Sequence, residues 1–209
     1  ASDVYKRQTG LSLVGLANDL VLLFIGLELV SIPTYILLSL KRTDAAGQEA
    51  SLKYFFLSLI ASAFFLYSVA CLYGLGGSTS LLAIGNQIQS LGSISLTTIE
   101  GSIAVGTITT SMAAVLLPVM LGTALAGAAF RMAAVPMHFY APDVYQGTST
   151  SNAAVLSTLP KIAGIVMLAR LIALAIPPLG SGQIVGPVAG TLLLQMWHLI
   201  AIVAAVTMT

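Results

Sequence analysis

The feature that most constrains this chain is an apolar run at residues 20–40, which carries one glutamate, Glu28, near its middle. A helix of that length reaches across the hydrocarbon core of a bilayer, which is about 30 Å thick. A carboxylate at the bilayer centre costs at least ~2.5 kcal/mol on insertion scales. Glu28 therefore requires a partner that neutralises it, or a function that uses it.

The composition places the rest of the chain in the same environment. Of the 209 residues, 57% are hydrophobic and 7% are charged, whereas soluble domains carry about 25% charged residues. A net charge of +1 gives no reason to expect a nucleic-acid partner, and the lone Cys71 can form neither a disulfide framework nor a cysteine metal site. We predict an all-α fold, a polytopic transmembrane helix bundle in the lipid bilayer.

Further apolar segments divide the chain into predicted spans, one of which is broken. Residues 104–140 would reach ~55 Å as one helix, and they contain Pro118 and Pro136, so we predict a broken helix there. The Gly- and Ser-rich stretch at 74–100 is predicted to be a long loop that can hold a short interfacial helix. The predicted transmembrane domain covers 9–209, with spans at 20–40, 48–73, 108–140, 150–176 and 190–209.

The two ends and one turn carry separate predictions. The opening octet, ASDVYKRQ, is unlike the rest, and we predict that residues 1–8 are a non-native or disordered N-terminus. Apolar segments appear cut at both ends, so we interpret the chain as part of a longer one. Lys41 and Arg42 flank the turn at 41–47, whereas the loops at 74–100 and 177–190 contain no lysine or arginine. The positive-inside rule therefore predicts that this turn faces the cytoplasm.

Several basic side chains share the membrane with Glu28. Lys161 is predicted at the midplane, roughly 15 Å deep, where charges usually mark ion or proton paths, although a static ion pair is the alternative. Lys53 is predicted about a third of the way into its span. The depth difference of ~10 Å suits Lys53 and Glu28 as stations bridged by water better than as a tight pair. His138, beside a proline, fits a capping role and a proton-carrying role equally.

Arg131 precedes the predicted break and completes the set. Because arginine stays protonated, we predict that Arg131 is a fixed charge. Arg170 lies ~13 Å beyond Lys161 along the same helix, so it is predicted to snorkel to the membrane edge. One acid and several bases at depth on neighbouring helices, one of them broken, is the layout of a charge-relay transporter.

Three stretches carry a family resemblance that covers nearly the whole chain after the octet. They read NDLVLLFIGLELVSIPTYIL, EASLKYFFLSLIASAFFLYSVACLYG and FRMAAVPMHFYAPDVYQGTSTSNAAVLSTLPKIAG. They resemble the subunit N family among the antiporter-like membrane subunits of proton-pumping NADH–quinone oxidoreductase, respiratory complex I. The resemblance implies that the chain holds most of the first of two inverted five-helix repeats, with its broken helix.

The resemblance also implies a role for each buried ionisable residue. Glu28 matches the glutamate of the fifth helix, Lys53 the lysine of the sixth, and Lys161 the lysine of the eighth, which belongs to the central hydrophilic axis. Arg131 stands where the family typically has the broken-helix lysine that pairs with that glutamate, which is a departure from the pattern. By this match, we expect Arg131 to hold Glu28 through a two-pronged hydrogen bond. His138 falls on the histidine of the family's P-x-H motif.

By the same resemblance, we expect an H⁺-translocating (translocase-class) subunit of NADH:quinone oxidoreductase that binds no cofactor itself. NADH, FMN, iron–sulfur clusters and quinone would be bound by other subunits of the complex. The expected partners are the other membrane subunits, including the neighbouring antiporter-like subunit, in a bacterial inner membrane. Two alternatives remain at this point: a subunit of a multi-subunit cation/proton antiporter or membrane-bound hydrogenase, and an inert structural membrane scaffold.

Overall fold

The computed structural model describes residues 2–40, 45–93, 105–135, 137–175 and 187–208, and they form helices almost throughout. Lys41 and Arg42, on which the predicted orientation depends, lie outside the described residues. The prediction of an all-α bundle with a broken helix is confirmed. The helices are α1 (Ser2–Leu16), α2 (Leu20–Leu40), α3 (Ala45–Gly76), α4 (Leu81–Ser93), α5 (Val105–Met132), α6 (Tyr140–Gly147), α7 (Thr150–Ala175) and α8 (Pro187–Met208), with a 3-10 turn at Met137–Phe139.

Four stretches of the described helices are long and apolar enough to cross a membrane. Large apolar side chains point away from the bundle, as Phe56, Leu59 and Ile165 do, each of them 57% exposed. Such a surface suits acyl chains better than water. The four stretches are Leu20–Ser39, Gly47–Gly76, Pro118–Gly147, which includes the break, and Thr150–Leu174.

Helices α1 and α2 approach each other closely because glycines face one another. A Cβ added at Gly26 would lie 2.8 Å from Cγ2 of Val14, and one added at Gly10 would lie 3.0 Å from the Gly26 carbonyl. Small residues let helix backbones approach in this way in membranes. Most of the opening octet is helical, since α1 begins at Ser2. Arg170 of α7 donates to the carbonyl of Gly15, so this side chain ties α7 to the end of α1 instead of serving only to snorkel.

The link before α2 is tied to the link before α4. Asp19 Oδ1 accepts hydrogen bonds from the backbone amides of Val21 (2.8 Å) and Leu22 (3.4 Å), which caps α2. The Thr79 hydroxyl donates to the other oxygen of Asp19 and is the largest cause that lowers the pKa of Asp19 below its ordinary value of 3.8. This carboxylate therefore contributes stability above pH ~4, and that stability is lost as the pH falls through its folded pKa.

Helix α5 ends in a Schellman turn. The amide of Ala133 donates to Phe130 O (3.0 Å) and the amide of Ala134 donates to Ala129 O (2.8 Å), which is the bond pair of that motif. Ala133 has a φ of +56°, in the left-handed region where glycine is usual. The helix thus breaks between Met132 and the 3-10 turn, whereas Pro118 lies inside α5 without ending it.

The segments on both sides of this break pack on α3. Gly127 of α5 lies against α3 so closely that an added Cβ would be 3.0 Å from the Ala61 carbonyl. Tyr54 of α3 contacts Phe130 and Tyr140, with ring centroids 5.6 Å and 6.0 Å away. The Tyr140 hydroxyl donates to Phe130 O across the break (2.8 Å). Helix α3 is therefore the support on which the two halves of the broken helix are set.

Candidate functional site

An ion pair inside the bundle, here called the deep pair, joins Glu28 of α2 to Arg131 of α5. Arg131 Nη2 lies 3.2 Å from Glu28 Oε1, and the two side chains are 3% and 26% exposed. Arg131 occupies the last turn of α5, two residues before the strained Ala133. The residues that the resemblance relates to an acid–base pair thus meet at the break.

The guanidinium group of Arg131 does not form the two-pronged hydrogen bond with Glu28 that the sequence analysis predicted. Its other amino group, Nη1, donates to the carbonyl of Leu27 (3.1 Å) and to the hydroxyl of Ser31. Both acceptors lie on α2 beside Glu28, so the guanidinium bridges a turn of α2 and only Nη2 reaches the carboxylate. That part of the prediction is wrong, because nearby oxygens on α2 take Nη1.

A third helix enters the site through Ser62 of α3. Its hydroxyl donates to Glu28 Oε1 and lies 3.5 Å from Arg131 Nη2. Sequence reasoning missed both Ser31 and Ser62, because serine is common in such helices and its hydroxyl can bond its own backbone. The spacing of Ser58 and Ser62, one helical turn apart within a predicted span, was the available signal.

Lys53 belongs to a different cluster, at the edge of the membrane-spanning part. Its Nζ lies 2.8 Å from Glu49 Oε1, one turn earlier in α3, and 2.8 Å from Asp143 Oδ2 of α6. It lies nine residues before Ser62, about 14 Å along the helix. Lys53 is therefore held by two carboxylates and forms no tight pair with Glu28, and its role as a neighbouring station bridged by water stays a prediction.

Lys161 lies on α7 where that helix presses on the end of α5. A Cβ added at Gly164, one turn after Lys161, would lie 2.8 Å from Met132 Cγ and 3.2 Å from Arg131 Cβ. Residues three apart share a helix face, so Lys161 is brought within about one helical turn of the Arg131 site. Within the described residues, the Lys161 side chain makes no hydrogen bond and no ion pair, and it is half-buried.

His138 is separate from both clusters. It lies in the 3-10 turn between α5 and α6 and is exposed. No hydrogen bond joins its ring to another described residue. Among the described residues, no group of three His, Cys, Asp or Glu side chains is placed to hold a metal ion.

A match to a family of membrane proteins covers these residues. The family described as "NADH:quinone oxidoreductase/Mrp antiporter, TM" matches residues 17–208. The chain belongs to this antiporter family. The matched region includes the Glu28–Arg131 contact, the Lys53 cluster and Lys161, and the family recognised from the sequence is confirmed.

The relatives that the chain matches are longer than the chain itself. Subunit N of the NADH-quinone oxidoreductase of Desulfovibrio desulfuricans is 35% identical over 188 residues, which cover 88% of this chain and 34% of the relative. Subunit N from Anaeromyxobacter sp. is 35% identical over 201 residues, 96% of this chain and 36% of the relative. The chain spans about a third of the length of these relatives.

Two solved structures share this antiporter-family fold. Respiratory complex I from Thermus thermophilus with bound aureothin contains a chain that superposes with a TM-score of 0.60 at 33% identity, over 84% of this chain and 34% of that one. The membrane-bound sulfane sulfur reductase, an archaeal respiratory membrane complex, gives a TM-score of 0.60 at 25% identity, over 76% of this chain and 28% of that one.

Proposed function

We propose that this chain is part of a membrane-arm subunit of NADH–quinone oxidoreductase that translocates protons through its buried Glu, Lys and Arg residues. The relatives named subunit N support this assignment, as does the likeness to a complex I chain. In this proposal the transport is coupled to electron transfer from NADH to quinone in other subunits. The subunit lies in a bacterial inner membrane beside other membrane subunits, one of them a neighbouring antiporter-like subunit.

The observation that carries the proposal is the Glu28–Arg131 contact at the helix break. A buried ion pair is costly to desolvate and contributes little net stability. Non-helical backbone at membrane depth is tolerated where it is packed in protein or lines a cavity. A carboxylate, an arginine and a break in one place therefore favour a charge-handling site over a purely structural contact.

We assign different roles to the two deep cations. Arginine keeps its proton, so Arg131 acts as the fixed charge that holds Glu28. Lysine, unlike arginine, is able to take part in proton transfer, and we assign Lys161 as the proton-carrying base. The contact of Gly164 with Arg131 supports a connection between them, because a shift at the Glu28–Arg131 pair changes the field and the packing at Lys161.

The remaining candidate residues, Lys53 and His138, are assigned to the ends of the proposed proton relay. Lys53, with Glu49 and Asp143, provides the station at the membrane edge. His138, exposed at the turn of the broken helix, is a further proton-carrying candidate. NADH, FMN, iron–sulfur clusters and quinone are assigned to other subunits of the complex, so the chain contributes proton movement without redox chemistry.

A second assembly is supported by one specific observation. The likeness to the archaeal sulfane sulfur reductase shows that this fold is also used in another respiratory membrane complex. A subunit of a cation/proton antiporter or a membrane-bound hydrogenase would use the same charged residues. The inert scaffold differs from both, because it requires only that charge be conserved.

The experiment that tests the proposal is Lys161→Arg in the full-length subunit within its complex. The charge is kept, but the site can no longer release a proton, so proton uptake per NADH oxidised by membrane vesicles should fall by at least half. Arg170→Lys on the same helix is the matched control, since it also exchanges one cation for another, and it should pump normally. Wild-type pumping by Lys161→Arg would show that Lys161 is only a structural cation.

A further inference from the structure

Lys53 is shared by two carboxylates that differ in one respect. Glu49 and Asp143 both lie 2.8 Å from its Nζ. Glu49 is one turn away on the same helix, so its bond leaves the relation between helices unchanged. Asp143 is 90 residues further along the chain, on α6. Only the second bond joins two elements of the fold.

The element that Asp143 joins to α3 is the one that follows the helix break. Helix α6 has eight residues, and the 3-10 turn at Met137–Phe139 leads into it. Its inner face is buried through Tyr140 and Val144, while Asp143 lies in its first turn. Arg131 stands on the other side of the same break. The broken helix is thus held by one ion pair on each side, to α2 before the break and to α3 after it.

The ion pair between Lys53 and Asp143 lies beside a cleft and is partly exposed. A cleft of about 700 Å³ lies against α3 and α6, and its lining includes Glu49, Lys53, Phe139 and Asp143. The side chains of Lys53 and Asp143 are 42% and 56% exposed. An open cleft gives the first turn of α6 room to move when the ion pair is released.

We propose that Asp143 is a positioning residue whose ion pair with Lys53 latches α6 to α3 and so sets the geometry of the break that carries Arg131. This inference rests on the proposed function, since the latch matters for transport only if the Glu28–Arg131 pair belongs to the relay. The latch makes the backbone between Asp143 and Arg131 the physical link between the membrane edge and the deep site. A change of charge at Lys53 weakens the latch and is transmitted to the break.

The latch is tested by amide hydrogen exchange of residues 137–147 in the intact complex, measured by mass spectrometry. Asp143→Asn removes the only carboxylate that crosses from α6 to Lys53, so exchange should rise about two- to five-fold. Glu49→Gln is the matched control, because it removes a carboxylate at the same distance from Nζ without freeing α6, and exchange should stay at the wild-type rate. Asp143→Glu, which keeps the charge, should restore most of the protection.

Proton uptake per NADH oxidised shows whether Asp143 sets the geometry needed for transport or only attaches α6 to α3. Asp143→Asn should lower this ratio by at least two-fold while NADH oxidation continues, and Asp143→Glu should recover it. Equal exchange in wild type and Asp143→Asn would overturn the latch. Raised exchange with a wild-type proton ratio would overturn the positioning role.

A second variant tests the same ion pair in case Asp143→Asn assembles poorly. Lys53→Met removes the cation from the same pair and should raise exchange in residues 137–147 by a similar factor. Wild-type exchange in Lys53→Met would overturn the latch as well. The exchange readout does not depend on pumping, so failure of the latch can be told apart from failure of the proposed function, which the Lys161→Arg measurement decides.

Discussion

The two ion pairs beside the helix break use the same chemistry in opposite surroundings. Arg131 is 3% exposed and divides its donors among Glu28, Ser31 and the Leu27 carbonyl. Lys53 is 42% exposed and meets only carboxylates, within the described residues. Burial makes every unpaired polar atom costly, so the deep pair needs a surrounding network of hydrogen bonds. Water can satisfy the edge pair, so that pair can open and close at small cost.

We propose that the two pairs have different roles along one broken helix. The deep pair has hydrogen-bond partners on both α2 and α3. The edge pair ties a short helix with an open cleft beside it. Four predictions test this difference, and they follow in order of expected effect.

Removing the deep cation should have the largest effect on stability. Arg131→Ala leaves Glu28 without its counter-ion and should destabilise the full-length subunit by about 3 kcal/mol, the lower end of the range for broken buried pairs, because Glu28 keeps some exposure. Arg131→Lys retains a charge and should keep most of the stability and pumping. Thermal unfolding in detergent is the measurement. If Arg131→Ala unfolds at the wild-type temperature, the deep site is not a buried ion pair.

Removing the Ser62 hydroxyl, which donates to Glu28, should have the second-largest effect on stability. Ser62→Ala removes a hydrogen bond to a carboxylate and should cost roughly 1.5–3 kcal/mol. Ser58→Ala is the matched control, since it is also buried on α3, and no hydrogen bond between described residues joins it to Glu28. Chemical denaturation of the two variants gives the comparison. Equal losses would mean that the serines contribute packing and that Glu28 does not depend on Ser62.

Replacing the strained residue between the two ion pairs should increase the stability of the subunit. Ala133 has a φ of +56°, and a left-handed conformation costs a residue with a Cβ about 1 kcal/mol. Ala133→Gly should therefore stabilise the subunit by about that amount. Ala126→Gly, inside α5, is the control and should destabilise it by a similar amount. A destabilising Ala133→Gly would show that the Schellman turn is not under strain.

The smallest expected effect is that of salt on hydrogen exchange, which should differ between the two ion pairs. Raising the salt concentration from about 0.1 M to about 1 M shortens the Debye length from roughly 10 Å to 3 Å. Hydrogen exchange in residues 137–147 should rise up to about two-fold, because the edge pair is exposed to solvent. Exchange near Arg131, in residues 127–132, should not change. A similar salt response in both segments would remove the distinction between a buried and an exposed pair.

Sequence reasoning missed several contacts for the same reason. Lys53 was expected to be a station of Glu28 because α2 and α3 follow one another in the chain. Asp143, its partner from α6, lies 90 residues away and reaches it only because the chain turns after Ala133. Likewise, nothing in the order of residues shows that Leu27 and Ser31 would take one amino group of Arg131.

The sequence was enough to predict a membrane helix bundle with one broken helix, which is confirmed, and to predict that Glu28, Arg131 and Lys161 lie deep in the membrane. Length, hydropathy and proline position carry that information, because the bilayer sets the length of each span and the placement of charge within it. Which charges meet could be read only from the folded chain. Pairing depends on the rotation and the crossing of helices, which packing at Gly26, Gly127 and Gly164 sets through contacts between residues far apart in the chain.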